Sequence, residues 1–237
     1  MKGSKASKHI GIVACSAEGA ALCYRTICME APALLGEHLH PEISMHTYPL
    51  GNYMVHIRSG NWEEVSSLML SSARKLAQIG ADFAICPDNT IHQAFDFVVT
   101  ESPIPWLHIA ETVAQHAAKQ GFKRLALIGT SYLMISPVYP KILDKLGIYM
   151  EIPNESEREK INAIIFNELV NGIFLETSRL YLNEVIKELK KRGCDAVVLG
   201  CTEIPLLVVP NDCPLPTLDS TRLLARAALK EAIKITG

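Results

Sequence analysis

Short apolar runs alternate along this chain with longer stretches of helical periodicity. HIGIVAC (9–15) leads into a helical pattern near 18–30, EISMHTY (42–48) into one near 61–79, and DFAICP (82–87) into one near 90–98. The scheme then starts again: RLALIGT (124–130), a helix near 136–146, YMEIP (149–153), helices near 157–171 and 177–192, DAVVLG (195–200), and a last helix near 219–235. Strands interleaved with helices in this way predict parallel sheets covered by helices on both faces. Gly80, Gly121, Gly147 and Gly193 stand just past helical runs, where a left-handed C-cap suits glycine.

The two halves also match each other residue by residue. Gly80-Ala81-Asp82-Phe83-Ala84-Ile85-Cys86-Pro87-Asp88 lies over Gly193-Cys194-Asp195-Ala196-Val197-Val198-Leu199-Gly200-Cys201, and Ile10 to Ser16 lies over Leu125 to Ser131. Two matches at nearly one displacement, each a strand running into a polar loop, indicate an internal duplication. The expected fold is therefore α/β: two pseudo-symmetric lobes, each a mostly parallel sheet flanked by helices, with the active site in the inter-lobe cleft. The lobes are expected at 1–108 plus 216–237 and at 109–215.

With 237 residues, 49% of them hydrophobic, the chain can bury a sizeable core without covalent staples. Its 23 basic and 25 acidic residues nearly cancel, which gives no support to a nucleic-acid or membrane-surface partner. The basic start MKGSKASK runs directly into HIGIVAC, which is too short for a signal-peptide core with a cleavage site or for a membrane span. It reads as a solvated arm on a cytoplasmic protein. The cysteines at 15, 23, 28, 86, 194, 201 and 213 form no C-x-x-C pair, so neither a zinc site nor a disulfide framework is expected. Their ordinary reading is as small buried hydrophobes.

In open parallel sheets ligands bind at the carboxyl ends of the strands. Asp88-Asn89-Thr90 and Cys201-Thr202-Glu203 both stand there, ahead of helical segments whose first N–H groups can face an anion. Lobes facing one another about a pseudo-twofold axis would bring Asp88 and Cys201 to opposite sides of one small molecule. One proton carrier on each side is what inversion at a carbon centre requires. There is no G-x-G-x-x-G or G-x-x-x-x-G-K run for a nucleotide, and no lysine in a context suited to a pyridoxal phosphate Schiff base. The expected site uses no cofactor and no metal.

Each candidate also has a plain structural reading. Cys201 could be an inert buried thiol, and Asp88 a helix cap. Cys86 shares strand parity with Asp88 and could present a thiol in its place, although packing is the simpler role. Asn89, Thr90, Thr130, Ser131 and Thr202 offer short neutral groups suited to a substrate carboxylate and ammonium, and all five are equally at home in turns or caps. Ser16 and Glu18 in the first loop are similar, with Glu18 able to hold an ammonium. His92 and Glu203 are supporting candidates, and His46 and His108 weaker ones.

Five stretches carry a family resemblance: IGIVACSAEGAALCYR, CPDNTIH, LALIGT, VVLGCTEIP and PLPTLDSTRLLARAAL. Over nearly its whole length the chain resembles the aspartate/glutamate racemase superfamily of cofactor-independent amino-acid racemases. That resemblance implies two pseudo-symmetric α/β lobes, a homodimer, and a catalytic cysteine in each lobe, the first in P-C-N-T-x-H and the second in G-C-T-E. Cys201 fills the second position. Asp88 fills the first, with Pro87, Asn89, Thr90 and His92 matching around it. Where dicarboxylate-specific members place cationic side chains, the alignment puts Tyr53, near the end of the second strand, and Val170-Asn171, which weakens an acidic-substrate reading.

A free thiol titrates near about 8.5 and a carboxyl near about 3.9, roughly 6 kcal/mol apart in proton affinity. The expected activity is a cofactor-independent amino-acid racemase or epimerase with an unequal pair. Cys201, helped by a helix amino terminus and nearby hydroxyls, takes the Cα proton, and Asp88 returns one, with one direction favoured. The partner is a small amino acid or related carboxylate. Two rivals share the fold: a single-thiol lyase or decarboxylase in which Asp88 only positions the substrate, and a binding protein that has lost turnover.

Overall fold

A computed structural model describes residues 7–234 of the chain. Of the basic arm expected at the start, residues 1–6 lie outside the described residues, as does the last position of the helix expected at 219–235. Lys8 is tied down: its N–H donates to Ala232 O (2.8 Å) and its Nζ to Glu231 Oε1 (2.6 Å).

The chain begins with β1 (Ile10–Ala14), α1 (Ala17–Glu30), α2 (Pro32–Leu35), β2 (Ile43–Thr47), α3 (Leu50–Ser59), α4 (Trp62–Gln78) and β3 (Phe83–Ile85). A 3₁₀ turn (Thr90–Ala94), α5 (Phe95–Glu101) and β4 (Trp106–Leu107) follow. After α6 (Ile109–Gln120) come β5 (Arg124–Ile128), α7 (Ser131–Met134), α8 (Pro140–Leu143), β6 (Tyr149–Glu151), α9 (Glu155–Asn167) and α10 (Glu176–Lys191). The chain closes with β7 (Ala196–Leu199), α11 (Ile204–Leu207), β8 (Thr217–Asp219) and α12 (Ser220–Ala232). It divides into two compact units, 1–109 with 224–237, and 110–223.

The units share one topology. The first holds a sheet in the order β2-β1-β3-β4 and the second a sheet in the order β6-β5-β7-β8, every pairing parallel. The registers correspond: Ile12 faces Ile85 across β1 and β3, and Leu127 faces Val198 across β5 and β7. In β1, β3 and β7 every residue is buried, as in β5 after Arg124, which is why these strands read as unbroken apolar runs instead of alternating ones. The repeated aspartates perform one task. Asp82 accepts from His9 N (2.7 Å) and Asp195 from Lys123 N (2.6 Å), each carboxylate clamping the entry to the first strand of its sheet.

Each unit has its own core. In the first, Ile10, Ile12, Phe83 and Ile85 pack with Cys23 and Ile27 of α1 and with Leu224, Ala225, Ala228, Leu229 and Ala232, the helically spaced inner face of α12. In the second, β5 and β7 pack with the inner faces of α6, α9 and α10. The four glycines expected as left-handed caps all have positive φ: Gly80 92°, Gly121 81°, Gly147 63° and Gly193 91°.

Several features differ from expectation. The helix expected over 136–146 is reduced to α8 and a 3₁₀ turn (Asp144–Leu146), because Pro137 and Pro140 lack the N–H that a helix interior needs and Pro140 suits only the first turn, where α8 begins. The helix expected near 90–98 opens as a 3₁₀ turn and becomes α-helical only at Phe95. Tyr53 lies within α3 instead of near the end of a strand.

One close approach fixes the strand end that carries Cys201. A Cβ on Gly200 would come within 2.7 Å of Leu133 Cδ2, 2.9 Å of Leu127 Cδ1 and 3.1 Å of Ile128 O. The last is backbone, held by Gly200 N at 2.8 Å, and cannot step aside. Gly200→Ala is expected to cost about 1–3 kcal/mol through overpacking, read as a lower denaturation midpoint with an unchanged denaturant slope.

Candidate active site

In the first unit the loop after β1 starts α1 with Ser16, whose Oγ accepts from Gly19 N (3.2 Å). In the second unit the loop after β5 does the same one residue earlier in register: Thr130 Oγ1 accepts from Leu133 N (3.1 Å) and opens α7. These caps satisfy helix donors that lack a backbone partner. They occupy one lone pair of each hydroxyl, so capping does not exclude substrate contact. Ser131 presents its N–H to Asn162 Oδ1 of α9 (3.0 Å), a partner that sequence spacing does not reveal. Glu18 lies exposed in the first turn of α1, where a carboxylate complements the helix dipole.

The loop after β3 holds the other first-unit candidates. Asp88 is half-buried and its Oδ1 accepts from Ile91 N (3.2 Å), so the capping role is present. Asn89 and Thr90 are buried beside it. Cys86 is wholly buried and its thiol pKa is pushed well above the ordinary value, first by burial and then by Asp88. It stays a protonated, packed thiol.

His92 is the brace of this loop. Its Nδ1 donates to Asp88 O (2.6 Å), and its Nε2 accepts from Ile109 N (3.4 Å), an arrangement that fixes the tautomer. The ring stacks on Phe95 (centroids 5.3 Å) and meets His108 edge-on (4.7 Å). Burial first, then His108, hold its pKa well below the usual histidine value. The folded protein therefore refuses a proton that the unfolded chain takes up below about pH 6.5. Stability is complete above that pH and falls as pH drops through it, by about 1.4 kcal/mol per pH unit, until the folded value is reached. His46, on β2, is shifted in the same direction by burial and Lys75 and adds to the slope. Thermal unfolding between pH 7 and 5 should therefore show a shallower acid limb in His92→Asn, which keeps a donor for the Asp88 carbonyl.

In the second unit the site is a thiol and a carboxylate in contact. Cys201, two residues past β7 and 7% exposed, donates from Sγ to Glu203 Oε2 at 2.9 Å. Thr202 Oγ1 donates to the same oxygen at 2.8 Å, and all three side chains are buried. Glu203 caps nothing, although it stands at the start of α11; its carboxylate faces the sulfur instead. The hydroxyl of Thr202 donates to Glu203, and α11 is a single turn of four residues, too short for a large dipole. The chemical consequence is direct: a buried carboxylate hydrogen-bonded to a thiol is a ready acceptor for its proton.

Among the described residues, no group of three or more His, Cys, Asp or Glu is placed to hold a metal ion, and no helix is long and apolar enough to cross a membrane.

Two units of one topology, each presenting a short polar loop after the third strand of its sheet, with acid–base side chains at matched positions, define a duplicated α/β protein. The chain belongs to the Asp/Glu/hydantoin racemase family, whose sequence profile matches residues 10–228. It is similar to the broad specificity amino-acid racemase RacX of Bacillus subtilis (strain 168), 22% identical over 190 residues that cover 80% of this chain and 81% of that one. Among solved structures it is similar to a protein of Yersinia pestis provisionally named an Asp/Glu racemase, at 32% identity, covering 96% of this chain and 100% of that one, with a TM-score of 0.87. It is also similar to an aspartate racemase homologue from Pyrococcus horikoshii OT3, at 27% identity over 96% of this chain and 100% of that one, with a TM-score of 0.83.

Proposed function

We propose that this protein is a cofactor-independent amino-acid racemase or epimerase in which Cys201, Glu203 and Asp88 carry the protons. The observation that supports this most directly is the buried Cys201 Sγ to Glu203 Oε2 contact at 2.9 Å, on the strand end that corresponds to the one bearing Asp88. Glu203 takes the thiol proton, the sulfur removes the Cα proton of the substrate, and the electron pair of that C–H bond remains on carbon. Asp88, protonated, then delivers its proton to the opposite face. A general acid or base at such a step contributes about 10²–10⁴-fold.

Ser16, Asn89, Thr90, Thr130, Ser131 and Thr202 hold the substrate's carboxylate and ammonium, with Glu18 a further partner for the ammonium. The relative named as broad in specificity supports a substrate class wider than the acidic amino acids. In this reading the protein acts in the cytoplasm as a homodimer. Because the two carriers differ, kcat differs between the two directions, while kcat/KM is bound by the unit equilibrium constant between enantiomers.

A panel of L- and D-amino acids incubated in D₂O and followed by NMR at Cα tests the proposal. Exchange at Cα with loss of optical activity is expected. Ligand-dependent thermal stabilisation with no deuterium incorporation would make the protein a binder and sink the enzymatic reading.

One observation favours a second reading. The bond from Ile91 N to Asp88 Oδ1 suits a carboxylate that positions and does not titrate. Cys201 alone would then protonate a planar enolate, as in a lyase or decarboxylase, and carbon dioxide release from a malonate-type acid would decide for it.

A further inference from the structure

Asn162 lies in the interior of α9, next to the side that packs on the core of the second unit: Ile161 and Ile165 are buried, and Asn162 itself is half-buried. Asparagine is a poor helix former, more at home in caps and turns than inside a helix. Its presence there calls for a partner outside α9.

One half of the side chain has such a partner. Asn162 Oδ1 accepts from Ser131 N at 3.0 Å, which joins α9 to the loop after β5. A peptide N–H can be met only by the carbonyl end of an amide, so the side chain's orientation is settled and its NH₂ end is turned away from Ser131. Among the described residues the two N–H groups of Nδ2 find no acceptor, and Nδ2 is not sealed beneath the surface. Half of the amide is committed and half is on offer.

The bond at Ser131 N holds the tip of Asn162 close to the sulfur of the same unit. Ile128, three residues before Ser131, pairs with Leu199, two residues before Cys201, and Gly200 N donates to Ile128 O (2.8 Å). The loops that follow these neighbouring strands therefore begin side by side, at the sheet edge where open parallel sheets bind their ligands. Ser131 N and Leu133 N are both spent inside the protein, on Asn162 Oδ1 and Thr130 Oγ1, so neither is left for an anion. Asn162 takes up one N–H of the loop and presents two of its own in exchange.

We propose that Asn162 is a substrate-binding residue of the second unit, its Nδ2 donating to the carboxylate of the amino acid from which Cys201 takes a proton. The proposal rests on the racemase reading of Cys201. The chemistry of the amide selects the group it meets: with Oδ1 committed to Ser131, Asn162 donates and does not accept, which suits a carboxylate and excludes an ammonium. Asn162 gives up no proton. The contact exists in the bound amino acid as much as during proton removal, so its loss weakens binding and leaves turnover nearly untouched.

The test is Asn162→Asp, which keeps an oxygen for Ser131 N–H but puts a negative charge where the donors were. Exchange at Cα in D₂O is followed by NMR for the amino acid of the panel that exchanges fastest, and the carboxamide of that amino acid is measured as a competitive inhibitor. KM should rise by about tenfold or more, the scale of one hydrogen bond to a charged group, with kcat held within about threefold. The inhibition constant of the carboxamide should move far less, since an uncharged amide can donate to the new carboxylate. An unmoved KM overturns the assignment, and so does a fall in kcat alone. A carboxamide weakened by the same factor as the amino acid also overturns it, because the loop itself would then have shifted. If the variant melts below the assay temperature, Asn162→Ala carries the test: the same rise in KM with kcat retained supports the contact, and an unmoved KM overturns it. No exchange with the unsubstituted protein would instead overturn the racemase reading itself, a result obtained before any variant is compared.

Discussion

Replacing Cys201 with alanine should abolish deuterium incorporation at Cα, by about 10²–10⁴-fold or to background, with little loss of stability. Cys201 Sγ and Thr202 Oγ1 both donate to Glu203 Oε2, so the thiol has an acceptor for its own proton, and the sulfur that hands it over is then able to take the one on Cα. Removal leaves Glu203 without one of its two donors, but Thr202 Oγ1 still meets the carboxylate, so the loop keeps its anchor. Exchange that survives in Cys201→Ala at the original rate would remove the sulfur from the reaction and leave Glu203 as the base.

Asp88→Asn should separate exchange from inversion. Asparagine keeps the oxygen that accepts from Ile91 N and so keeps the cap, but it has no carboxyl proton to deliver. Wash-in from one enantiomer should continue with retention of configuration, because Cys201 can return a solvent deuteron to the face it deprotonates. Net inversion should fall by about 10²–10⁴-fold. Inversion unchanged in this variant would reduce Asp88 to its capping bond.

What the sequence reveals follows from how much of each element is buried. The strands Ile10–Ala14, Arg124–Ile128 and Ala196–Leu199 are plain in the sequence because they are buried on both sides, and their matching loops disclose the duplication. Helix Leu50–Ser59 escapes notice: it contains Gly51 and Asn52, both poor helix formers, and buries only Tyr53 and Ile57. Strands Trp106–Leu107 and Thr217–Asp219 are too short to show any period. In the site, the strand ends that carry Asp88 and Cys201 are legible from the repeat. The contact from Glu203 to the sulfur is not, since a residue two positions on is as free to cap the next turn as to fold back.

Gly129 and Gly200 end adjacent strands and lie against each other so closely that a Cβ on Gly129 would meet the carbonyl carbon and oxygen of Gly200 at 3.3 Å. Thr130 follows one and Cys201 the other. The hydroxyl cap and the thiol of the second unit are thus mounted on adjoining backbone, with Leu133 Cδ2 pressed against both glycines. Leu133 belongs to the turn that Thr130 opens, so moving that turn should shift the strand end that carries the sulfur as well.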